Sequence, residues 1–296
     1  MAKFANPVRQ AAAVVKRLQG RGGVLKSVGT TRNYQAALTR VAEWVKAEQI
    51  TGSLRSLNCL QALRYLEERS QSVGQSALNL ERQALQAMFQ HLTHELPLGH
   101  TLPVVKSEQD QALRSRAYKR EQVELVAQAQ QQCNALATEI AYAAGLRAHE
   151  LFTLRRADER VPDPRPARTE KFLGRSGLHY IVQGKGGLVR HVIIPLVLAE
   201  RIENLRFDAP RRVTDRGIHY QQYYDLAGGH RWSSSYSAAS TRVLGWSAGA
   251  HGVRHSYAQE RMGELQCAGL SRPEALETVS QELGHFRPEI TEVYLR

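Results

Sequence analysis

The chain has 296 residues, of which 42% are hydrophobic and 23% are charged, with a formal net charge of +12. The composition is that of a globular protein, and the chain is long enough for two domains. No apolar run approaches the roughly 18 residues of a membrane span, and no secretion leader is evident. Neither metal-ligand spacing nor cysteine pairing links Cys59, Cys133 and Cys267, so we expect a cytoplasmic protein without disulfide, metal or cofactor. The basic balance favours a polyanionic partner, DNA above all; an anionic membrane surface fits less well, because no strongly amphipathic Trp/Lys helix is evident.

Helical spacing dominates the first third of the chain. One helix is predicted over residues 7–18, a second from about Thr31, a third after Asn58 and a fourth that carries Leu85 and Leu92. The apolar residues expected to share a face are Tyr34, Leu38, Val41 and Val45 in the second helix, Leu60, Leu63 and Leu66 in the third, and Leu85, Met88, Phe89 and Leu92 in the fourth. Short helices joined by polar turns indicate a small helical domain.

A breaker-rich, basic stretch follows the helices. Pro97, Gly99 and Pro103 interrupt regular structure, and basic residues then accumulate up to residue 120: Lys106, Arg114, Arg116, Lys119 and Arg120. We therefore predict a first domain over 1–105, a basic linker over 106–120 and a second domain over 121–296. Such a linker either lies along phosphates or is a solvated tether.

The second domain mixes helices with a small sheet. Helices are predicted to about residue 156, followed by an irregular charged insertion over 157–176. The β-rich runs 179–183 and 188–195 flank a glycine-rich turn and predict a hairpin, after which helical patterns resume at Pro195. A capping box over 271–274 predicts a helix that ends at Gly284, and a last short helix near Pro288 carries Tyr294.

Residues able to act on a phosphodiester recur in separate segments of the second domain. The motifs, in chain order, are Arg147-x-x-Glu150 after Gly145, Lys185 in the hairpin turn, His251-x-x-Arg254, and Leu283-Gly-His285 followed by Tyr294. Each motif alone is weak, since H-x-x-R occurs by chance in many chains. The ordered set is much more specific.

This set resembles the tyrosine recombinase (phage integrase) family over about residues 120–296. The resemblance implies a mainly α protein with a small β-hairpin or sheet (α+β), in which an N-terminal helical core-binding domain precedes a catalytic domain. It implies a site-specific recombinase or integrase that forms a 3′-phosphotyrosyl intermediate and needs neither metal nor ATP. The site residues it implies are Arg147, Glu150, Lys185, His251, Arg254, His285 and Tyr294.

Elementary chemistry assigns roles to these residue types. A deprotonated tyrosine is a fair nucleophile, and two guanidiniums suit the extra charge of a pentacovalent phosphorus, because each is a planar fork of donors. A lysine on a hairpin can protonate the leaving 5′ oxygen, and histidines can bind phosphate oxygens or accept the tyrosine proton. Glu150 is then expected to orient an arginine or a histidine.

Several assignments have alternatives in the sequence. Lys171, in the irregular insertion, competes with Lys185 as the general acid, and His149 and His255 are interpreted as structural neighbours of the motifs. Arg147 also fits a charge at a helix end, and His251 a core or capping histidine. Tyr294 is one of eleven tyrosines, so its role depends on its place after Leu-Gly-His.

The expected partners are double-stranded DNA carrying a specific site and further copies of the chain, as a tetramer on two DNA sites. The two domains are expected to clamp the duplex, which would place the protein at the bacterial nucleoid when bound. A type IB topoisomerase-like relaxing enzyme and a catalytically inactive DNA-binding accessory protein are the rival functions. Two residues follow Tyr294 here, whereas family members often continue with a segment that docks into a neighbour, so the mode of assembly stays open, as does the choice between integration of a mobile element, resolution and inversion.

Overall fold

Residues 6–20, 23–110 and 115–296 are described by the computed structural model. They fall into unit 1 (Met1–Ala112) and unit 2 (Leu113–Arg296). Arg114, within the predicted basic linker, lies outside the described residues. On either side of it the chain is held locally: Ser107 donates its amide hydrogen to Gln75 Oε1 at 2.9 Å within unit 1, and the Tyr118 amide donates to Ser256 Oγ at 2.8 Å within unit 2.

The predicted helices of unit 1 are present. The first begins at Pro7, where the Asn6 side chain accepts a hydrogen bond from the Val8 amide at 2.9 Å, an N-cap followed by proline at the first helical position. The elements are α1 (Pro7–Leu18), α2 (Val28–Ala47), a 3₁₀ turn (Leu54–Ser56), α3 (Cys59–Ser70), α4 (Gln75–Met88) and a π turn (Phe89–Thr93) that extends α4.

The predicted apolar face of α3 was wrong at one position. Leu60 is 77% exposed, whereas Ala62, Tyr65 and Leu66 are buried. A spacing of three residues drifts around an α-helix, while the 62, 65, 66 set follows the three-and-four spacing of one face. Tyr65 was not included in the predicted face; its hydroxyl donates to the buried Glu81 carboxylate at 2.8 Å.

Unit 2 interleaves helices with short antiparallel strands. Its helices are α5 (Arg120–Gln128), α6 (Gln132–Ala144), α7 (Glu150–Thr153), α8 (Leu196–Glu203), α9 (Gly229–Leu244), α10 (Gly252–Cys267), α11 (Arg272–Leu283) and α12 (Pro288–Thr291). Its strands are β1 (Arg155–Arg156), β2 (Leu178–Gln183), β3 (Val189–Ile194), β4 (Arg206–Asp215) and β5 (Ile218–Tyr224). The α+β prediction is confirmed. None of the helices in the described ranges is both long and apolar enough to cross a membrane.

The predicted hairpin forms the centre of the first sheet. Strands β1, β2 and β3 are antiparallel in that order, and Ile181 pairs with His191. The inner faces of β2 and β3 contribute Tyr180, Val182, Val192 and Ile194 to the main core of the unit. The turn between them, Lys185–Gly187, therefore projects from a fixed base.

A second hairpin was missed by the sequence prediction, which continued helices after Pro195. Only α8 follows that proline before β4 and β5 pair as a separate ribbon. Most of β4 is exposed, so the alternation of buried and exposed residues that marks a strand is absent. The glycine at 217 was an available turn signal in the sequence. In the structure Arg216 (φ 49°) and Gly217 (φ 80°) are both left-handed, as a tight hairpin turn requires.

The irregular insertion over 157–176 packs on α11 through main-chain donors. The Arg168 amide donates to Gln281 Oε1 and the Phe172 amide donates to Glu282 Oε1, each at 2.8 Å. Helix α11 begins in the predicted capping box, where the Ser271 amide donates to Glu274 Oε2 at 2.9 Å, and ends at Leu283 as predicted. The insertion thus supports the helix that leads into the L-G-H turn.

Candidate active site

The R-x-x-E segment is a tight turn between α6 and α7. Helix α6 ends at Ala144 and is followed by Gly145, whose φ of 60° turns the chain, and Glu150 is the first residue of α7. The Glu150 carboxylate accepts a hydrogen bond from the Arg147 amide at 2.8 Å and another from Arg147 Nη1 at 2.9 Å. Arg147 is therefore held by its own turn, with its side chain 22% exposed.

Glu150 is fully buried among three guanidiniums. Besides Arg147, its carboxylate contacts Arg190 Nη2 at 2.8 Å and lies 3.7 Å from Arg254 Nη1. Burial alone would raise the pKa of the Glu150 carboxyl, but the charges of Arg190, Arg254 and Arg147 outweigh it and hold the pKa well below its ordinary value. One negative charge thus faces three positive ones.

Arg254, on α10, is fully buried and joins three segments. Its amino groups donate to the carbonyls of Gly145 and Leu283, and Nη2 lies 3.2 Å from His285 Nε2. Sequence reasoning treated Arg147 and Arg254 as equivalent, but in this structure the amino groups of Arg254 are engaged by main-chain oxygens and only Arg147 reaches the surface.

The start of α10 is packed too closely for any side chain at Gly252. A Cβ there would lie 2.4 Å from the Arg116 carbonyl oxygen and 2.4 Å from the Tyr118 ring. We expect Gly252→Ala to lower the free energy of unfolding by about 1–3 kcal/mol through overpacking. Urea denaturation of the two proteins measures the difference.

Gly263, in the same helix, is the matched control. A Cβ there meets nothing within 4 Å. Gly263→Ala should therefore raise the free energy of unfolding by up to about 1 kcal/mol, because alanine favours the helical backbone. Equal effects of the two substitutions would contradict the packing described for Gly252.

Tyr294 enters this site from its own chain. It lies in a 3₁₀ turn (Glu292–Leu295) that follows α12, and it is 8% exposed. Its hydroxyl lies 3.2 Å from His251 Nε2, and Gln259 Nε2 donates to its carbonyl oxygen at 3.1 Å. The phenol and the imidazole are thus within hydrogen-bond distance of each other.

Three imidazoles surround the Tyr294 ring. The ring centroids of His255, His285 and His251 lie 4.6, 5.2 and 5.5 Å from its centroid. His255, which the sequence analysis interpreted as structural, has the shortest of these distances, and it is 5% exposed. Its position four residues after His251, on the same face of α10, was the available signal.

The hydrogen bonds of His285 fix its tautomer. Arginine can only donate, so His285 Nε2 accepts from Arg254 Nη2 at 3.2 Å. The proton must then be on Nδ1, which donates to Thr291 Oγ1 at 3.0 Å. The tautomer is inferred from these two hydrogen-bond partners. His285 is then a neutral imidazole that links Arg254 to the helix before the tyrosine.

The buried imidazoles are neutral near pH 7. Burial, followed by the charge of Arg254, lowers the pKa of His285 to about 3. Burial, followed by the charge of Arg116, lowers the pKa of His255 to about 4. His251 is more exposed than these two residues, but partial burial, followed by the charge of Arg254, still lowers its pKa below the ordinary value. Of these imidazoles, His251 has a ring nitrogen within hydrogen-bond distance of the phenol and can accept its proton.

Lys185 lies on the exposed hairpin turn between β2 and β3. The residue before it, Gly184, contacts the R-x-x-E turn: a Cβ there would lie 3.1 Å from Glu150 Oε1 and 3.7 Å from Arg147 Nη1. The turn is thus anchored beside Arg147 while the lysine points to solvent. No hydrogen bond or ion pair holds its ammonium within the described residues.

The rival lysine, Lys171, has a different environment. It is partly buried, with its ammonium 5.1 Å from the centroid of the Phe172 ring. Burial, followed by the charge of Arg190, lowers its pKa to about 8, against the opposing charge of Glu282. It therefore lies near the end of α11 and Arg190, in the insertion rather than on the hairpin turn.

The structure thus brings most of the predicted site residues together. Arg147, Glu150 and Arg254 form one ionic cluster, and His285 and His251 connect Arg254 to the phenol of Tyr294. Lys185 is brought to the edge of the cluster by its turn. Sequence reasoning missed Arg190, which contacts Glu150, and undervalued His255.

No protein-family model and no curated protein matches the chain. Among solved structures, it resembles a XerH site-specific recombinase bound to palindromic difH substrate, a post-cleavage complex, with 13% identity, a TM-score of 0.59, and 100% of this chain and 94% of that chain covered. It also resembles a lambda integrase tetramer bound to a Holliday junction, with 14% identity, a TM-score of 0.58, and 100% and 78% covered.

A third similar structure is the Tn1549 transposon integrase (residues 82–397) in complex with circular intermediate DNA, with 17% identity, a TM-score of 0.52, and 97% of this chain and 94% of that chain covered. At these identities the likeness concerns the fold. The chain has the fold of the tyrosine recombinases.

Proposed function

We propose that this chain is a tyrosine-type site-specific DNA recombinase, which cuts and rejoins DNA strands through a 3′-phosphotyrosyl intermediate without metal or ATP. The observation that carries the proposal is the meeting, in one chain and one site, of a nearly buried phenol, neutral imidazoles and a cluster of guanidiniums. The shared fold adds to this argument.

In the first step the Tyr294 oxygen attacks the scissile phosphorus and its proton passes to His251. The 3.2 Å between the hydroxyl and Nε2 of His251 allows direct transfer to a neutral imidazole. The new bond joins the phenolic oxygen to phosphorus, and the bond from phosphorus to the 5′ oxygen breaks. His255 and His285 confine the ring during the attack.

The negative charge of the transition state is stabilised by the arginines. Arg147 is the direct ligand for non-bridging oxygens, since its guanidinium is partly exposed and its turn is rigid. Arg254 acts without direct contact with the phosphate. Its buried positive charge contributes to the electrostatic potential at the site, and its hydrogen bond holds His285. Glu150 compensates part of this charge, so the site stays net positive.

Lys185 supplies the proton to the departing 5′ oxygen. Its turn is anchored at Gly184 beside Arg147, while its ammonium is exposed and unpaired in the described residues, so it can move onto a bound backbone. The phosphotyrosyl ester keeps the energy of the broken bond, and a 5′ hydroxyl from a second strand releases the tyrosine again. The same groups serve the reverse step.

The partner is double-stranded DNA with a specific site, and the working assembly is a homotetramer on two sites. A net charge of +12 supports binding to the DNA backbone. The similar structures are DNA complexes, and one is a tetramer on a Holliday junction. Strand exchange needs two duplexes held together, so a monomer should cleave but not recombine.

Covalent capture tests the proposal without a known site. The protein is incubated with a pool of duplexes that carry a randomised half-site beside a nick, placed so that the fragment released by cleavage diffuses away. Protein-linked DNA that resists denaturing detergent is recovered and sequenced, and the modified peptide is identified by mass spectrometry. Wild type should enrich a discrete sequence on Tyr294.

Two variants serve as controls in the capture experiment. Tyr294→Phe should give no adduct, whereas Tyr180→Phe, whose lost hydroxyl donates to Glu203 at 2.9 Å, should behave as wild type. If the wild type enriches a DNA sequence by binding but forms no adduct, the proposal is wrong and the chain is a DNA-binding protein that does not cut. Relaxation of supercoiled plasmid with no sequence enriched would replace it by a topoisomerase-like activity.

A further inference from the structure

We infer that Arg190 is a positioning residue of this site, which sets the placement of Arg147 and of the L-G-H turn through Glu150; the inference rests on the proposed function. Arg190 lies on β3 and is 3% exposed. Its Nη2 donates to Glu150 Oε2 and its Nη1 donates to the Glu282 carbonyl oxygen, both at 2.8 Å. No sequence motif above includes it.

The two hydrogen bonds join three separate parts of the site. Through its own strand Arg190 belongs to the hairpin that bears Lys185, and its amino groups reach the R-x-x-E turn and the end of α11. Each of these parts supplies a different proposed catalytic group. A single side chain thus fixes the spacing of parts that are far apart in sequence.

The glycine of the L-G-H motif is fitted to this side chain. A Cβ on Gly284 would lie 2.8 Å from Cδ and 3.1 Å from Nε of Arg190, and its φ of 72° already disfavours other residues. The arginine stem passes directly over the turn that precedes His285. Steric contact therefore adds to the hydrogen bonds in placing that histidine.

Arg190 also divides the carboxylate of Glu150 between two guanidiniums. Oε1 binds Arg147 Nη1 at 2.9 Å, and Oε2 binds Arg190 Nη2 at 2.8 Å. Without Arg190, Oε2 would keep the Arg147 amide and the weaker contact with Arg254 at 3.7 Å. The carboxylate would then be free to rotate towards Arg254 and carry the Arg147 guanidinium away from the phosphate.

The test uses the duplex recovered by covalent capture, at a DNA concentration that saturates binding. Arg190→Met should slow adduct formation about 100-fold, the effect expected when a reacting group is displaced by about 1 Å, while the Kd for DNA stays unchanged. Arg190→Lys should retain part of the rate, because an ammonium can still bind Glu150. The Lys variant also keeps the test informative should the Met variant fold poorly.

Arg175→Met is the matched control. Arg175 likewise binds one carboxylate, Glu264, at 2.9 and 2.7 Å and donates to one carbonyl, that of Ala143, at 3.3 Å, but it contacts none of the proposed catalytic residues. Its loss should leave the cleavage rate per folded molecule unchanged. An equal slowing by Arg175→Met would reduce the role of Arg190 to general stability and overturn the inference.

A double-mutant cycle with Glu150→Gln separates positioning from mere packing. If Arg190 acts through Glu150, the double variant should be little slower than the worse single variant, because both changes break one linkage. Full additivity, or an Arg190→Met rate equal to wild type, would overturn the inference. Absence of any adduct with the wild type would instead overturn the proposed function.

Discussion

Arg147→Ala is expected to slow formation of the phosphotyrosyl adduct by about 10²- to 10³-fold, the usual effect of removing one transition-state donor. Arg147 is the arginine of the ionic cluster whose side chain reaches the surface, at 22% exposed. The fold should survive the change, because Glu150 keeps Arg190 at 2.8 Å as a counter-ion. Single-turnover kinetics on the captured duplex measure the rate.

Arg147→Lys is the control for this prediction. Lysine keeps the positive charge but loses the planar fork, so the rate should fall between those of alanine and wild type. The Kd for DNA should change little, since one phosphate contact is only a small part of a large basic interface. A normal adduct rate in Arg147→Ala would show that the exposed guanidinium does not contact the scissile phosphate.

Glu150→Ala is expected to lower the free energy of unfolding by about 3–5 kcal/mol, the range for breaking a buried ionic cluster. The substitution leaves Arg190 and Arg254, both buried, without a carboxylate. Urea denaturation at pH 7 measures the loss. Glu289→Ala, which removes an exposed carboxylate with no partner in the described residues, should change stability by less than about 0.5 kcal/mol.

The stability difference between wild type and Glu150→Ala should depend on pH in a defined direction. The pKa of this carboxyl is depressed in the folded chain from an ordinary value of 4.5. Its contribution to stability is therefore fully present above that value and is lost as pH falls through the folded pKa. The gap between wild type and Glu150→Ala should narrow progressively below pH 4.5. A gap that widens on acidification would mean that Glu150 is protonated in the fold.

Local signals in the sequence predicted much of the architecture. The glycine-rich turn at Lys185 and the capping box at Ser271 each act within a few residues, and each element begins where its signal places it. The ribbon of β4 and β5 was missed because most of β4 is exposed and neither strand alternates regularly between buried and exposed residues.

Most residues of the candidate site were named from the sequence, but their arrangement in space was not predicted. Nothing in H-x-x-R says that Arg254 would be fully buried beneath main-chain carbonyls while Arg147 stays exposed. His255 adjoins a motif residue in sequence, yet only the packing of α10 against the last turn brings it to 4.6 Å from the Tyr294 ring.

What the sequence determined by itself was the mainly helical plan, the central hairpin and the identity of most groups that could act on a phosphate. These features follow from residues a few positions apart, because the spacing of apolar residues along a helix and the residues of a β-turn determine local structure directly. Only the tertiary structure decided how the charges are shared: Arg190 and Glu150 are distant in sequence but 2.8 Å apart in space. Their pairing depends on the fold, which brings Arg190 of β3 next to Glu150 at the start of α7 and next to the end of α11, because a buried charge is stable only beside an opposite charge.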